Sequence, residues 1–196
     1  MTPVNWSAAG NETVDESTTK SDLPMSALVR AAVLVPLQVD GGGEQRLVLI
    51  QRGGGAPRHH GQVAFPGGLY DAERDESLLA TALREAKEEV GLAPEAVRVV
   101  GALPEQQTLS SNYLITPFVG EVRPGYQFRP DGVEVESVFT VPLSLFAIAG
   151  RREEMEWVHE GTTYVVPCVR ADGHVVWGVT LRIIDELLDF VVKSDK

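Results

Sequence analysis

The sequence predicts an α+β fold in which a mixed β-sheet lies between helices. Two observations set this expectation. Strand-like and helix-like segments are interspersed without a regular strand–helix–strand repeat, which disfavours a doubly wound parallel sheet. Apolar residues return at helical spacing in two long segments, one mid-chain and one near the C-terminal end. The chain has 196 residues, enough for one domain with a substantial core, and its 43% hydrophobic and 23% charged residues are ordinary globular values.

Residues 1–24 are rich in Ser, Thr, Asn, Asp and Glu, with Trp6 as their one aromatic side chain. Such a segment cannot bury enough surface to offset its chain entropy, so a flexible tail is expected ahead of a single domain over 25–196. Residues 31–39 are apolar and β-branched, and 46–51 form a second strand across the Gly41-Gly42-Gly43 turn. A glycine-rich loop at 53–55 leads into a short strand over 63–65. The mid-chain helix is expected over 76–90, with Asp75 as its cap, Gly91 as its stop and Pro94 beyond. Strands at 97–103, 114–122 and 133–139 follow, then a short helix over 142–148. Residues 153–158 and 163–169 read as an antiparallel hairpin. An amphipathic helix over 178–192 carries Leu181, Ile184, Leu188 and Val191 on its apolar face.

Composition narrows the function. A net charge of −11 argues against a nucleic-acid partner, whose footprint would be basic, but not against a phosphate-bearing small molecule held beside a metal. Cys168 is the only cysteine, which rules out an intrachain disulfide and suits a reducing cytoplasm. Beside Pro167 in an apolar run it reads as a core residue, not a nucleophile. No stretch approaches the roughly 20 apolar residues of a membrane span. No basic-then-apolar leader is evident, so a cytoplasmic protein without a membrane partner is expected. A homodimer is compatible with this composition.

The most informative stretch is Arg84-Glu85-Ala86-Lys87-Glu88-Glu89-Val90-Gly91-Leu92. Glu85, Glu88 and Glu89 stand at helical offsets of three and four and share a face, while Leu79, Leu83, Ala86 and Val90 fall on the roughly opposite face. Like charges gathered this way cost energy unless a cation joins them. Mg²⁺ takes hard oxygen ligands and works with phosphates, so it suits the cluster. Upstream, Phe65-Pro66-Gly67-Gly68 is a turn that can bring backbone close to the same ion or to a phosphate. The alternative is a solvated glutamate-rich face paired with Arg84 and Lys87.

Gly68, Glu76 and the Arg84–Leu92 block resemble the Nudix box, the signature of a superfamily of diphosphate hydrolases. Glu76 stands at the family's seven-residue distance from Arg84, whereas seven residues rather than five separate it from Gly68. The resemblance implies an αβα sandwich and a Mg²⁺ or Mn²⁺ cofactor held by Glu85, Glu88 and Glu89, with the Gly67 carbonyl completing the inner sphere. It implies that Glu76 supports the helix from behind and that a further base comes from a later loop. Glu134 and Glu136 are the candidates, with Glu134 preferred; alternating acids on a solvated strand are the competing reading. Arg84, four residues before Glu88, would orient that carboxylate.

A second resemblance lies in Arg52, Gly61 and Phe65-Pro66-Gly67-Gly68, whose spacing is similar to that of the Nudix branch hydrolysing coenzyme A. Trp177-Gly178-Val179-Thr180-Leu181-Arg182 also looks like this branch. The pattern's internal arginine falls on Pro57, with Arg58 one residue late. Coenzyme A carries a diphosphate and a ribose 3′-phosphate, so cations must gather beside the metal. Arg52 and Arg58 can hold phosphate oxygens, His60 and Gln62 can donate to them, and the Gly68 backbone can approach them. The loop over 52–62 is the expected reader of the 3′-phosphate. Arg52 could instead end its strand in a structural ion pair, and His59 and His60 could lie exposed. Trp177 reads better as core than as a stacking partner for adenine. The resemblance implies cleavage of coenzyme A or acyl-CoA. Hydrolysis of ADP-ribose, dinucleotides or oxidised nucleoside triphosphates, and an idle nucleotide-binding module, are the rival readings.

Overall fold

The computed structural model describes residues 28–55, 61–108, 112–148 and 150–194. Strands β1 (Val29–Val39), β2 (Gln45–Arg52), β3 (Val63–Ala64) and β4 (Gly67–Leu69) precede helix α1 (Leu78–Val90). Then come β5 (Val97–Ala102), β6 (Gln106–Gln107), β7 (Tyr113–Val122), β8 (Val135–Pro142) and the short α2 (Ser144–Ala147). The chain ends with β9 (Glu153–His159), β10 (Thr162–Ala171), β11 (His174–Trp177) and α3 (Gly178–Ser194).

β1 is the axis of the molecule. Its side chains alternate across the sheet: Ala31, Val35 and Leu37 join one apolar cluster, and Ala32 and Leu34 join another on the opposite face. α3 seals the first cluster with Leu181, Ile183, Ile184 and Leu187. α1 seals the second with Ala82, Ala86 and Val90. Helices on both faces explain why β1 is apolar without a break from Ala31 to Leu37 instead of alternating with polar residues. This is the expected α+β sandwich with a mixed central sheet.

One edge of β1 runs parallel to β7 along nearly its whole length, from Val29↔Tyr113 to Gln38↔Val122, and β5 and β6 extend the sheet antiparallel to β7. The other edge is shared. β2 pairs with β1 only at Leu37–Val39, and β4 pairs with its beginning at Ala31–Val33. Between them the Leu34 N–H donates to the Pro66 carbonyl at 2.9 Å. β2 diverges to meet β3 and β8, so the sheet splits and the Gly67-Gly68 backbone lies under α1. β9, β10 and β11 form a separate antiparallel sheet beside α3.

Several expected boundaries move. α1 begins at Leu78, with Ser77 as its cap: the Ser77 hydroxyl accepts from the Ala80 N–H at 3.1 Å. Asp75, expected in that role, is used elsewhere. Gly91 ends the helix at φ 66°, the left-handed conformation a glycine adopts without penalty. The strand expected from 133 starts at Val135, because the Asp131 carboxylate accepts from the N–H groups of Val133, Glu134 and Val135 and holds them in a turn. β4, β6 and β11 were not foreseen. Cys168 is fully buried, as expected. The tail expected over 1–24 lies outside the described residues. Among the described residues no helix is long and apolar enough to cross a membrane.

Candidate functional site

Of the three helix glutamates, one is not solvated. Glu88 is half-exposed and Glu85 partly covered, but Glu89 is buried on the packed side of α1. Its Oε2 accepts from the Gly67 N–H at 2.9 Å, and the Arg52 guanidinium stands 4.0 Å from its Oε1. Burial pushes the Glu89 carboxyl up to about 8, and the charges of Glu85 and Glu134 add to this, against the Gly67 N–H and Arg52.

Both glycines of the turn lie in close approach, Gly67 to backbone and Gly68 to a side chain. A Cβ at Gly67 would lie 2.3 Å from the Ala32 carbonyl oxygen and 2.6 Å from the Val33 Cα. At Gly68 it would lie 2.5 Å from the Glu85 carboxylate. The turn therefore presses backbone against two of the three glutamates.

Arg84 organises the other two. Its NH1 donates to Glu85 Oε1 at 2.7 Å and to Glu88 Oε2 at 2.9 Å, so the expected helix-face pair with Glu88 is present. The rest of its fork goes to Asp75, with Nε–Oδ1 at 2.8 Å and NH2–Oδ2 at 2.9 Å. Thr81 Oγ1 donates to the same carboxylate at 2.8 Å. The Arg84 hydrogen bonds hold the Asp75 carboxyl far below the usual carboxylate range. This corrects the reading of Glu76, which is exposed. Asp75, one residue earlier, is the carboxylate that supports the helix. The loop from Gly68 folds back through an Asp71 carbonyl–Asp75 N–H bond of 2.8 Å, which turns Asp75 and not Glu76 inward.

A cleft of about 890 Å³ opens beside these groups, with Glu89 and Asp75 buried behind its lining. It brings together the expected residues Arg52, Gln62, Gly67, Gly68, Arg84, Glu85, Glu88 and Glu134. Glu134 reaches it because the Gly53 N–H donates to the Glu134 carbonyl at 2.7 Å, joining the Arg52 loop to the Asp131 turn. Glu136 does not line it. Arg58, His59 and His60 lie outside the described residues. The opposite wall comes from β9, β11 and α3, and includes Trp157, His159, Trp177 and Arg182. Trp177, expected in the core, faces the cleft beside Trp157, with ring centroids 5.3 Å apart. Sequence reasoning missed Asp75, Arg74 and Trp157. Only Asp75 left a local signal, an acid one position from the assigned one.

The NUDIX domain family model matches residues 28–160. The chain belongs to the Nudix family. It is 40% identical over 158 residues to a protein of Citrobacter koseri named uncharacterized Nudix hydrolase NudL, covering 81% of this chain and 80% of that one. The Escherichia coli O1:K1 protein of the same name is 39% identical over the same shares. Among solved structures, the fold is similar to the NUDIX domain of Shewanella oneidensis NrtR complexed with ADP ribose (TM-score 0.56, 15% identity, 84% of this chain and 89% of that one). It is also similar to a MutT/nudix family protein from Enterococcus faecalis (TM-score 0.56, 18% identity, 85% and 62%).

The protein is therefore a Nudix hydrolase, and Nudix hydrolases act on small nucleotide-derived substrates with a divalent metal such as Mg²⁺ or Mn²⁺. The donor set suits such an ion: hard carboxylate oxygens on one helix, one of them destabilised as an anion chiefly by burial and further by its acidic neighbours. Among the described residues no three acidic or histidine side chains already converge as ligands. Arg84 and Arg74 hold Glu88, and Arg84 holds Glu85.

Proposed function

We propose that this Nudix hydrolase, through its domain over 25–196, cleaves the diphosphate of coenzyme A or an acyl-CoA to 3′,5′-ADP and a 4′-phosphopantetheine species. The observation that supports this reading is a single cleft whose carboxylate end is continued by an aromatic and cationic wall. A bare diphosphate would use only the first part, whereas a long nucleotide with a second phosphate uses both. The spacing of Arg52, Gly61 and Phe65–Gly68 supports it independently.

Glu85, Glu88, Glu89 and the Gly67 carbonyl would hold Mg²⁺ or Mn²⁺, which when bound polarises the phosphoryl group and acidifies water. The remaining steps fall to the protein's own residues. Arg84, anchored on Asp75, sets the Glu85 and Glu88 carboxylates. Arg52 and Arg58 bind phosphate oxygens outside the metal's inner sphere, with Gln62, His60 and the Gly68 backbone beside them. Arg52 has donors to spare, since its buried Nε has no hydrogen-bond partner among the described residues. Glu134 accepts the proton of the attacking water as its oxygen bonds to phosphorus and the anhydride P–O bond breaks.

Incubation with coenzyme A, dephospho-coenzyme A, ADP-ribose and nucleoside triphosphates under identical Mg²⁺ tests this, with products resolved by mass. Coenzyme A should give 3′,5′-ADP and have the highest kcat/KM. If ADP-ribose is fastest and loss of the 3′-phosphate changes nothing, the coenzyme A reading is wrong.

A further inference from the structure

Arginines in the cleft are not equivalent. Arg52 stands by Glu89, Arg74 by Glu88, and Arg84 by Asp75, Glu85 and Glu88. Arg182, on the second turn of α3, has no carboxylate within ion-pair distance among the described residues. None of the internal stretches outside them, 56–60, 109–111 and 149, contains an acidic residue. Its two hydrogen bonds go to neutral acceptors: Nε to Gln106 Oε1 at 3.2 Å and NH2 to the Gln107 carbonyl at 2.6 Å. Burial pushes its pKa down, yet a guanidinium stays charged. An uncompensated charge in a partly desolvated place is costly unless an anion arrives.

The rest of the geometry suits a ligand. A guanidinium has five N–H donors, and two are spent on β6, which fixes the fork in the cleft wall and leaves three donors for a ligand. On the same wall, Trp157 stacks with His159 at 4.9 Å and meets Trp177 at 5.3 Å, an aromatic surface of the kind on which nucleobases stack. Arg52, at 4.0 Å from Glu89, belongs to the carboxylate end, where the diphosphate is cut.

We propose that Arg182 receives a second phosphate of the substrate, remote from the cleaved diphosphate, while the adenine lies on the Trp157–Trp177 wall. This rests on the coenzyme A reading and assigns its 3′-phosphate to α3 instead of the loop over 52–62. Arg182 is thus a specificity-determining residue.

The test is a fluorescence titration of the full-length, metal-free enzyme with 3′,5′-ADP and with 5′-AMP, since Trp157 and Trp177 report on the cleft. Wild-type protein should bind 3′,5′-ADP more tightly by roughly 10- to 100-fold, the worth of one or two charge-assisted hydrogen bonds. Arg182→Gln should bring the two affinities together and leave that for 5′-AMP unchanged. If it keeps the wild-type ratio, or weakens both ligands equally, Arg182 is only a tie between α3 and β6 and the proposal is overturned. Should Arg182→Gln fail to fold, Arg182→Lys decides by the same ratio: a reduced ratio supports the proposal and an unchanged one overturns it. Wild-type enzyme that hydrolyses coenzyme A yet shows no preference between the two ligands overturns the Arg182 assignment alone. Absence of both hydrolysis and preference overturns the coenzyme A reading with it.

Discussion

Asp75 and Arg84 form a two-bonded ion pair, 2.8 and 2.9 Å, in which the carboxylate is 1% exposed and the guanidinium 17%. Because the same guanidinium also holds Glu85 and Glu88, the helix carboxylates owe their arrangement to a residue outside the helix. Asp75→Asn should destabilise the protein by roughly 3–5 kcal/mol, the usual cost of breaking a buried pair from one side. Glu76→Gln should change stability by less than about 0.5 kcal/mol. Urea denaturation of both variants checks this, and the reverse ranking would return the supporting role to Glu76.

The same pair has a pH signature. The Asp75 carboxyl is depressed in the folded state, so its contribution is fully present above the unfolded value of about 3.9 and is lost as pH falls towards the folded one. The stability gap between wild type and Asp75→Asn should be constant from about pH 5 to 8 and shrink only in more acidic solution. A gap that closes near neutrality would mean another group is responsible.

Activity should depend on a divalent cation, and Glu88→Gln or Glu89→Gln should lower kcat by ~10²–10⁴ while sparing the fold. Ligand binding to the native state also raises stability, by about 2.7 kcal/mol at a hundredfold excess over Kd. Mn²⁺ should therefore raise the Tm of wild type and not that of Glu89→Gln. Full activity of Glu88→Gln at saturating metal would remove the assignment.

Gly67 and Gly68 should respond differently to the same methyl group. Gly67→Ala meets backbone of β1, which cannot yield, and should cost roughly 1–3 kcal/mol or more in stability. Gly68→Ala meets the end of the Glu85 side chain, which can swing away. It should keep the wild-type Tm and lose kcat. Equal stability losses in the two variants would contradict the described turn.

Arg52→Ala and Arg58→Ala should mainly raise KM, by roughly 1–3 kcal/mol per lost charged hydrogen bond. Unchanged kinetics in both would exclude the loop over 52–62 from substrate binding.

What the sequence by itself determined was local. The four-residue offset from Arg84 to Glu88 predicted their ion pair, Gly91 stopped the helix, and strands and helices mixed without a regular repeat called for a mixed sheet between helices. The Nudix box was legible for the same reason, since its residues sit within one turn and one helix. Tertiary structure alone decided that Glu89 is buried, because Gly67 reaches it only after the sheet splits between β2 and β4. It decided that Asp75 and not Glu76 faces Arg84, because a single residue of loop path reverses which side chain points inward. And it decided the far wall of the cleft: Trp157, Trp177 and Arg182 lie far along the chain from the glutamates, and only the packing of α3 and the small sheet against β3 and β6 brings them together. Spacing along the chain encodes a helix face, whereas a cleft between distant segments depends on how whole elements pack.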